Sequence, residues 1–304
     1  MSNTQGSKSL PRIITGTIFG LICLGCIILG GLPLLILTSI IVFLGAKEYV
    51  QILEHKGFYP SLKVILFADI IFAILAYFGC FSLVPLAFTI GTLTAFFWVL
   101  FKGRQPYIAN VATTILGFVY SGWFPLHLLF LRDLGSVNNP TSIEMILKSD
   151  ITNAGLGYVL FMFWLVILTD VGCYYVGKNL GKHKLAPVIS PKKTIEGSIG
   201  GAILTIIGGF VIAHYIQLPW YHALIAGLLV ASCSQLGDLC ESLLKRDAGV
   251  KDSGDLLPGH GGFLDRTDSY IFTIPVMYYY FAYFVQPNQM TLNVINFIKG
   301  LFNV

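Results

Sequence analysis

Residues 237–269 read G-D-L-C-E-S-L-L-K-R-D-A-G-V-K-D-S-G-D-L-L-P-G-H-G-G-F-L-D-R-T-D-S, and the fold follows from what flanks them. An apolar run covers 219–237 on one side and another covers 269–285 on the other. Each approaches the roughly 20 helical residues that cross a hydrocarbon core of about 30 Å. Between them stand Asp238, Glu241, Lys245, Arg246, Asp247, Lys251, Asp252, Asp255, Asp265, Arg266 and Asp268, in a chain with only 19 Lys and Arg and 15 Asp and Glu. A dense cluster of charge between two membrane-length segments belongs at a membrane surface.

Outward from that stretch the whole chain is apolar. Of its 304 residues 55% are hydrophobic and 11% charged, with a mean hydropathy of +0.77. Such a composition excludes a soluble globule and calls for lipid as solvent. The net charge of +4 is spread over short loops, so no nucleic-acid partner is expected. Cysteines occur at 23, 26, 80, 173, 233 and 240. Cys23 and Cys26 have C-x-x-C spacing but no second pair of ligands, and read as small packing residues.

Further apolar runs cover 13–29, 34–46, 62–79, 81–101, 107–131, 154–177 and 197–217. The expected fold is therefore all-α, a polytopic integral membrane protein of about nine transmembrane helices. The return over 34–46 is short for a full crossing. With the N-terminus placed in the cytoplasm, every Lys and Arg except Arg132, Lys148 and Lys299 falls on that side, the asymmetry typical of a cytoplasmic face. The chain divides into a cytoplasmic segment (1–12), N-terminal transmembrane helices (13–150), a C-terminal catalytic transmembrane region (151–285) and an amphipathic tail (286–304). Gly16 with Gly20 and Gly197 with Gly201 have the spacing of close helix packing.

Asp69, Asp170 and Asp238 lie within or at the ends of apolar runs, where an ionised group needs a partner. For Asp69, deep among Phe and Ile, a buried polar contact between helices is expected; Asp170 and Asp238 lie nearer the cytoplasmic ends of their spans. On a continuing helix Asp238, Glu241, Ser242 and Lys245 share one face, and Asp265 with Asp268 forms a second pair at the next helix start. Two carboxylate-bearing helix ends that meet can hold a hard divalent cation through oxygen. Pro258 to Gly262, with Gly261 and Gly262, allows close backbone approach to an anion, and Lys245, Arg246, Lys251 and Arg266 offer positive charge for phosphate. These features indicate a metal-dependent phosphate-transfer site.

A second cluster runs Ser190-Pro191-Lys192-Lys193-Thr194-Ile195-Glu196-Gly197 and reads as a capped helix start, its lysines suited to a polyphosphate. No Walker loop occurs.

The 242–268 stretch resembles the signature of the phosphatidate cytidylyltransferases, the CDP-diacylglycerol synthases. Ser242, Lys245-Arg246, Lys251-Asp252, Pro258 to Gly262, Asp265-Arg266 and Asp268 meet that pattern with every gap of the right length. Ser190 to Gly197 is similar to a second element of the same family, whereas the N-terminal half matches only in hydropathy. The resemblance implies that CTP and phosphatidic acid, two substrates, give CDP-diacylglycerol and pyrophosphate in phospholipid biosynthesis, at the cytoplasmic face of a cell inner or plasma membrane. It implies Mg2+, with room for a second cation, and Asp238, Asp265 and then Asp268 as metal ligands. Lys245, Arg246 and Arg266 would hold phosphates, His260 would orient one, Lys251 and Asp252 complete the catalytic set, and Ser190, Lys193, Thr194, Glu196, Gly261 and Gly262 would bind the nucleotide. No oligomeric state follows from the sequence, which is compatible with a homodimer.

Two other readings compete. A CTP-dependent lipid-alcohol kinase would transfer the γ-phosphoryl group and release CDP. An ion-coupled transporter would use intramembrane acids as relays, but the inverted repeats and midplane cluster of that class are not found in the sequence.

Overall fold

The computed structural model describes residues 9–135, 153–254 and 261–286. The expected amphipathic tail, most of the 132–153 loop and His260 lie outside the described residues. Every apolar run becomes a helix. Helix α1 (Ser9–Leu29) ends at Gly30, whose φ of 66° turns the chain directly into α2 (Gly31–His55). At 25 residues α2 is long enough for a full crossing, longer than the short return that hydropathy over 34–46 suggests. The helix continues through Lys47, Glu48 and Tyr49 because their surroundings are protein: Glu48 and Tyr49 are both fully buried.

Helix α3 (Leu62–Phe78) starts at Ser61, whose hydroxyl accepts from the Val64 amide at 3.4 Å. It is followed by α4 (Val84–Lys102), and by α5 (Tyr107–Gly117) joined to α6 (Phe124–Arg132) through a widened turn over Phe118–Trp123. Then come α7 (Ala154–Leu180), α8 (Ile195–Tyr215), α9 (Trp220–Asp247) and α10 (Leu264–Tyr280). Among the described residues six helical stretches are long and apolar enough to cross a membrane: 31–55, 81–102, 107–132, 154–180, 195–215 and 220–247. Helices α3 and α10 have 17 residues each, and α10 is extended by a wide turn over Phe281–Val285.

Between α7 and α8 the chain forms a small antiparallel hairpin, β1 (Lys184–Ala186) with β2 (Ser190–Thr194). The helix expected to begin at Ser190 therefore begins at Ile195. Thr194 caps it, its hydroxyl accepting from the Gly197 amide at 3.1 Å, because Pro191 and the lysines after it lie in extended backbone.

Helices α7 and α8 meet along glycine. A Cβ on Gly197 would lie 2.8 Å from the Cys173 carbonyl, and one on Gly172 would lie 2.8 Å from the Gly201 Cα. The Thr169 and Thr205 hydroxyls share a hydrogen bond of 2.7 Å across the same seam. The Gly197 and Gly201 spacing thus marks a real helix contact. Gly20, by contrast, has open space around it among the described residues. Gly201→Val is expected to overpack this seam and cost about 1–3 kcal/mol. A clear fall in melting temperature in detergent should report it, and an unchanged value would mean that the helices can separate freely.

The polar contact expected for Asp69 is not found among the described residues. Asp69 is 3% exposed with no hydrogen-bond partner for either oxygen there, and it faces Gly122 in the widened turn, where a Cβ would overlap its Oδ1. Phe72, one turn further along α3, packs its ring against those of Phe88, Phe118 and Trp123.

Candidate active site

Helix α9 runs unbroken through Asp238, Glu241, Ser242 and Lys245, so the face read from their spacing exists. Ser242 donates to Asp238 Oδ1 at 3.4 Å, and Lys245 Nζ lies 2.8 Å from Glu241 Oε2 one turn away. The helix continues nine residues past Asp238, about 14 Å at 1.5 Å per residue, so the acid sits well inside it rather than at its end. Asp170 is likewise ten residues short of the end of α7.

Three helices bring their acids together. Gly237 is packed so closely on α10 that a Cβ there would lie 2.6 Å from the Asp268 carbonyl, which sets Asp238 beside Asp268. The charges of Asp170, Asp238 and Asp268 act on one another, and Glu241 acts on Asp268 as well. Like charges so placed repel unless a cation intervenes. From the hairpin, Lys193 reaches Asp238 Oδ2 at 2.6 Å. Among the described residues neither Asp170 nor Asp268 forms an ion pair.

Asp265 is differently placed. Its Oδ1 is ion-paired with Lys245, and its Oδ2 accepts from the amides of Ser253 and Gly262, both at 2.9 Å. The anion held by the Ser253 and Gly262 amides is therefore the chain's own carboxylate. Gly261 adopts a φ of 81°, a conformation that favours glycine, and brings the Gly262 amide round to Asp265. Lys245, expected to hold phosphate, is committed to Glu241 and Asp265 and is nearly buried.

Arg246, Lys251, Asp252 and Arg266 are exposed around this cluster, with Arg246 donating to the Val250 carbonyl at 2.9 Å. In the first turn of α8 Glu196 acts locally. Its carboxylate accepts from the amides of Lys182 at 3.0 Å and His183 at 3.1 Å and lies 2.6 Å from the His183 ring. Thr194 serves as the helix cap and Ser190 lies in β2, which leaves Lys193 as the hairpin residue that enters the acidic cluster.

Sequence reasoning does not mark Glu48, which is buried on α2 yet bonded to the start of α10. Its signal is weak, a single acid just beyond the short apolar run over 34–46. Asp170 is visible as an acid within an apolar run, but no spacing ties it to the others.

Among the described residues no group of three or more His, Cys, Asp or Glu side chains is arranged to hold a metal ion. Magnesium takes one or two protein carboxylates and completes its shell with water and substrate phosphate. Asp238 and Asp268, adjacent and mutually repelling, fit that demand.

The profile of the cytidylyltransferase family matches residues 10–284. A Synechocystis protein named phosphatidate cytidylyltransferase is 36% identical over 280 residues, 88% of this chain and 95% of its own length. Proteins of that name from Staphylococcus saprophyticus and Staphylococcus aureus are each 50% identical over 125 residues, 40% of this chain and 48% of theirs. Since the family match begins in α1 and ends in the wide turn after α10, and so takes in every helix that contributes to the acidic cluster, this chain belongs to the cytidylyltransferase family.

Proposed function

We propose that this chain is a Mg2+-dependent phosphatidate cytidylyltransferase that works at the cytoplasmic face of its membrane. An oxygen of the lipid phosphate forms a bond to the α-phosphorus of CTP, and the bond from that phosphorus to the bridging oxygen breaks, releasing pyrophosphate. Such a transfer asks the protein mainly for positioning and charge neutralisation. Asp238 and Asp268 would hold the magnesium ion, with Asp170 beside them. The bound ion would supply Lewis-acid neutralisation of charge on the phosphate oxygens. Lys193, Arg246, Lys251 and Arg266 would bind the phosphate groups, and His260 would orient one of them. A phosphomonoester is already ionised near neutral pH, so no general base is needed. The observation that carries this reading is the convergence of Asp170, Asp238 and Asp268 from three helices beside Lys193.

The decisive experiment gives purified protein phosphatidic acid, magnesium and CTP labelled on the α-phosphate. Label in the lipid fraction with equimolar pyrophosphate is the expected result. Label recovered as CDP, with none in the lipid fraction, would establish a kinase instead. A cysteine placed at the exposed Lys251 position in a cysteine-free background should be modified only from the cytoplasmic side; outward labelling would reverse the topology.

Lys193 offers a further prediction. Lys193→Ala is expected to raise the KM for CTP at least about tenfold, ~1.4 kcal/mol, and to leave the KM for phosphatidate within about twofold. Equal effects on both substrates would confine Lys193 to its ion pair with Asp238.

A further inference from the structure

Helix α10 carries Asp265 and Asp268 yet starts without a cap of its own. Phe263, at its N-cap position, has helical backbone angles and offers no side-chain acceptor. The free amides at this helix start are taken up by a residue more than two hundred positions upstream. Glu48 Oε1 accepts from the Phe263 amide at 2.7 Å, and Oε2 accepts from the Leu264 amide at 2.8 Å. Oε2 also accepts from the Ser253 hydroxyl at 3.0 Å. A carboxylate at a helix N-terminus is favoured by both hydrogen bonding and the helix dipole, and more so when buried.

Ser253 carries the contact onward. Its Oγ accepts from the Asp265 amide at 3.3 Å, and its own amide donates to Asp265 Oδ2 at 2.9 Å. Glu48 is thus linked through Ser253 to both backbone and side chain of Asp265. It also gathers the chain on both sides of 255–260: Ser253 on one side, Phe263 and Leu264 on the other. The fit leaves no spare volume. A Cβ on Gly254 would lie 2.9 Å from Glu48 Oε1, and one on Gly262 would lie 2.8 Å from Oε2.

We propose that Glu48 is a positioning residue for the transfer reaction: from α2 it fixes the start of α10 and the Ser253 turn, and thereby the places of Asp265 and Asp268. The inference rests on the cytidylyl-transfer reading for its catalytic part, while the positioning itself can be measured without any turnover. A carboxylate is required because all three partners are donors; an amide of the same shape would turn an NH2 group toward a backbone N–H.

The test compares wild type with Glu48→Gln, Glu48→Asp and Ser253→Ala in the full chain, in detergent micelles. Hydrogen–deuterium exchange of the Phe263–Leu264 amides is measured beside turnover and both KM values. In Glu48→Gln these amides should exchange at least tenfold faster, with the amides of α8 unchanged. Turnover should fall at least tenfold while the KM for phosphatidate stays within about twofold. Glu48→Asp, which keeps the charge, should recover part of both losses, and Ser253→Ala should show the same pattern more weakly and remain informative if Glu48→Gln fails to fold. Wild-type exchange at 263–264 in the folded variants would overturn the proposal. So would loosened exchange throughout the protein with no rescue by Glu48→Asp, the mark of a merely structural role. If the wild type itself transfers no cytidylyl group, the proposed reaction fails, and exchange at 263–264 alone decides whether Glu48 fixes this turn.

Discussion

Asp238→Asn and Asp268→Asn, made singly, are each expected to reduce turnover at least about a hundredfold, or roughly 2.7 kcal/mol of transition-state stabilisation. The substitutions are nearly isosteric, and neither side chain is held by a hydrogen-bond network that folding depends on: Asp238 is paired with Lys193 at the partly exposed mouth of the cluster, and Asp268 accepts from the adjacent Ser269 amide. Stability should therefore change little. Because Gly237 presses α9 against the backbone of Asp268, the two carboxylates are neighbours and should act as a unit. The double variant should then be scarcely slower than either single one. Losses that multiply would assign the two acids separate roles, and near-wild-type turnover in a folded single variant would place the cation elsewhere. Asp265→Asn should behave differently, since Asp265 is bound to Lys245 and two backbone amides. Its loss should appear in stability as well as in rate.

The second large effect belongs to Lys245. Its ammonium group lies between Glu241, fully buried, and Asp265, and its own side chain is 10% exposed. Removing one member of a buried ionic group strands the others, a cost of about 3–5 kcal/mol. Lys245→Ala should therefore lower the melting temperature in detergent more than any of the other single substitutions proposed for α9. Replacing the whole pair with apolar residues should avoid that penalty. Lys245→Met combined with Glu241→Leu is expected to regain most of the lost stability, with Asp265 still held by the Ser253 and Gly262 amides. Turnover should not recover along with it. Simultaneous recovery of activity would show that the bridge serves folding alone; an unchanged melting temperature in Lys245→Ala would show that water already compensates the two acids.

The helices are legible in the sequence because apolar length and the interval of three and four residues are local properties. The shared face of Asp238, Glu241, Ser242 and Lys245 needs nothing beyond the continuation of α9, and the Gly197 and Gly201 contact needs only α8. The 190–194 segment misleads because Ser, Pro and an acid at helix-start spacing also suit a short strand that delivers Thr194 as the cap, and pairing with 184–186 leaves no periodic trace in so short a run. The glycine-rich 258–262 stretch reads as a cradle for an external anion, whereas the Gly262 amide is given to the chain's own Asp265. Glu48 is invisible for a deeper reason. An isolated acid in a helix carries no spacing to its partners when they are three donors from a distant turn, and only tertiary packing brings them to it.

That distance has a consequence for synthesis. The partners of Glu48 follow it in the chain by 205, 215 and 216 residues. At about 5–20 residues per second, a ribosome needs on the order of 10–40 seconds to deliver them. Throughout that interval the Glu48 carboxylate is without the three donors that hold it in the finished fold. Glu48 stands seven residues from the end of α2, roughly 10 Å, so until Ser253, Phe263 and Leu264 arrive its carboxylate must reach toward interfacial water. A nascent chain that ends before residue 253 lacks all three of these donors.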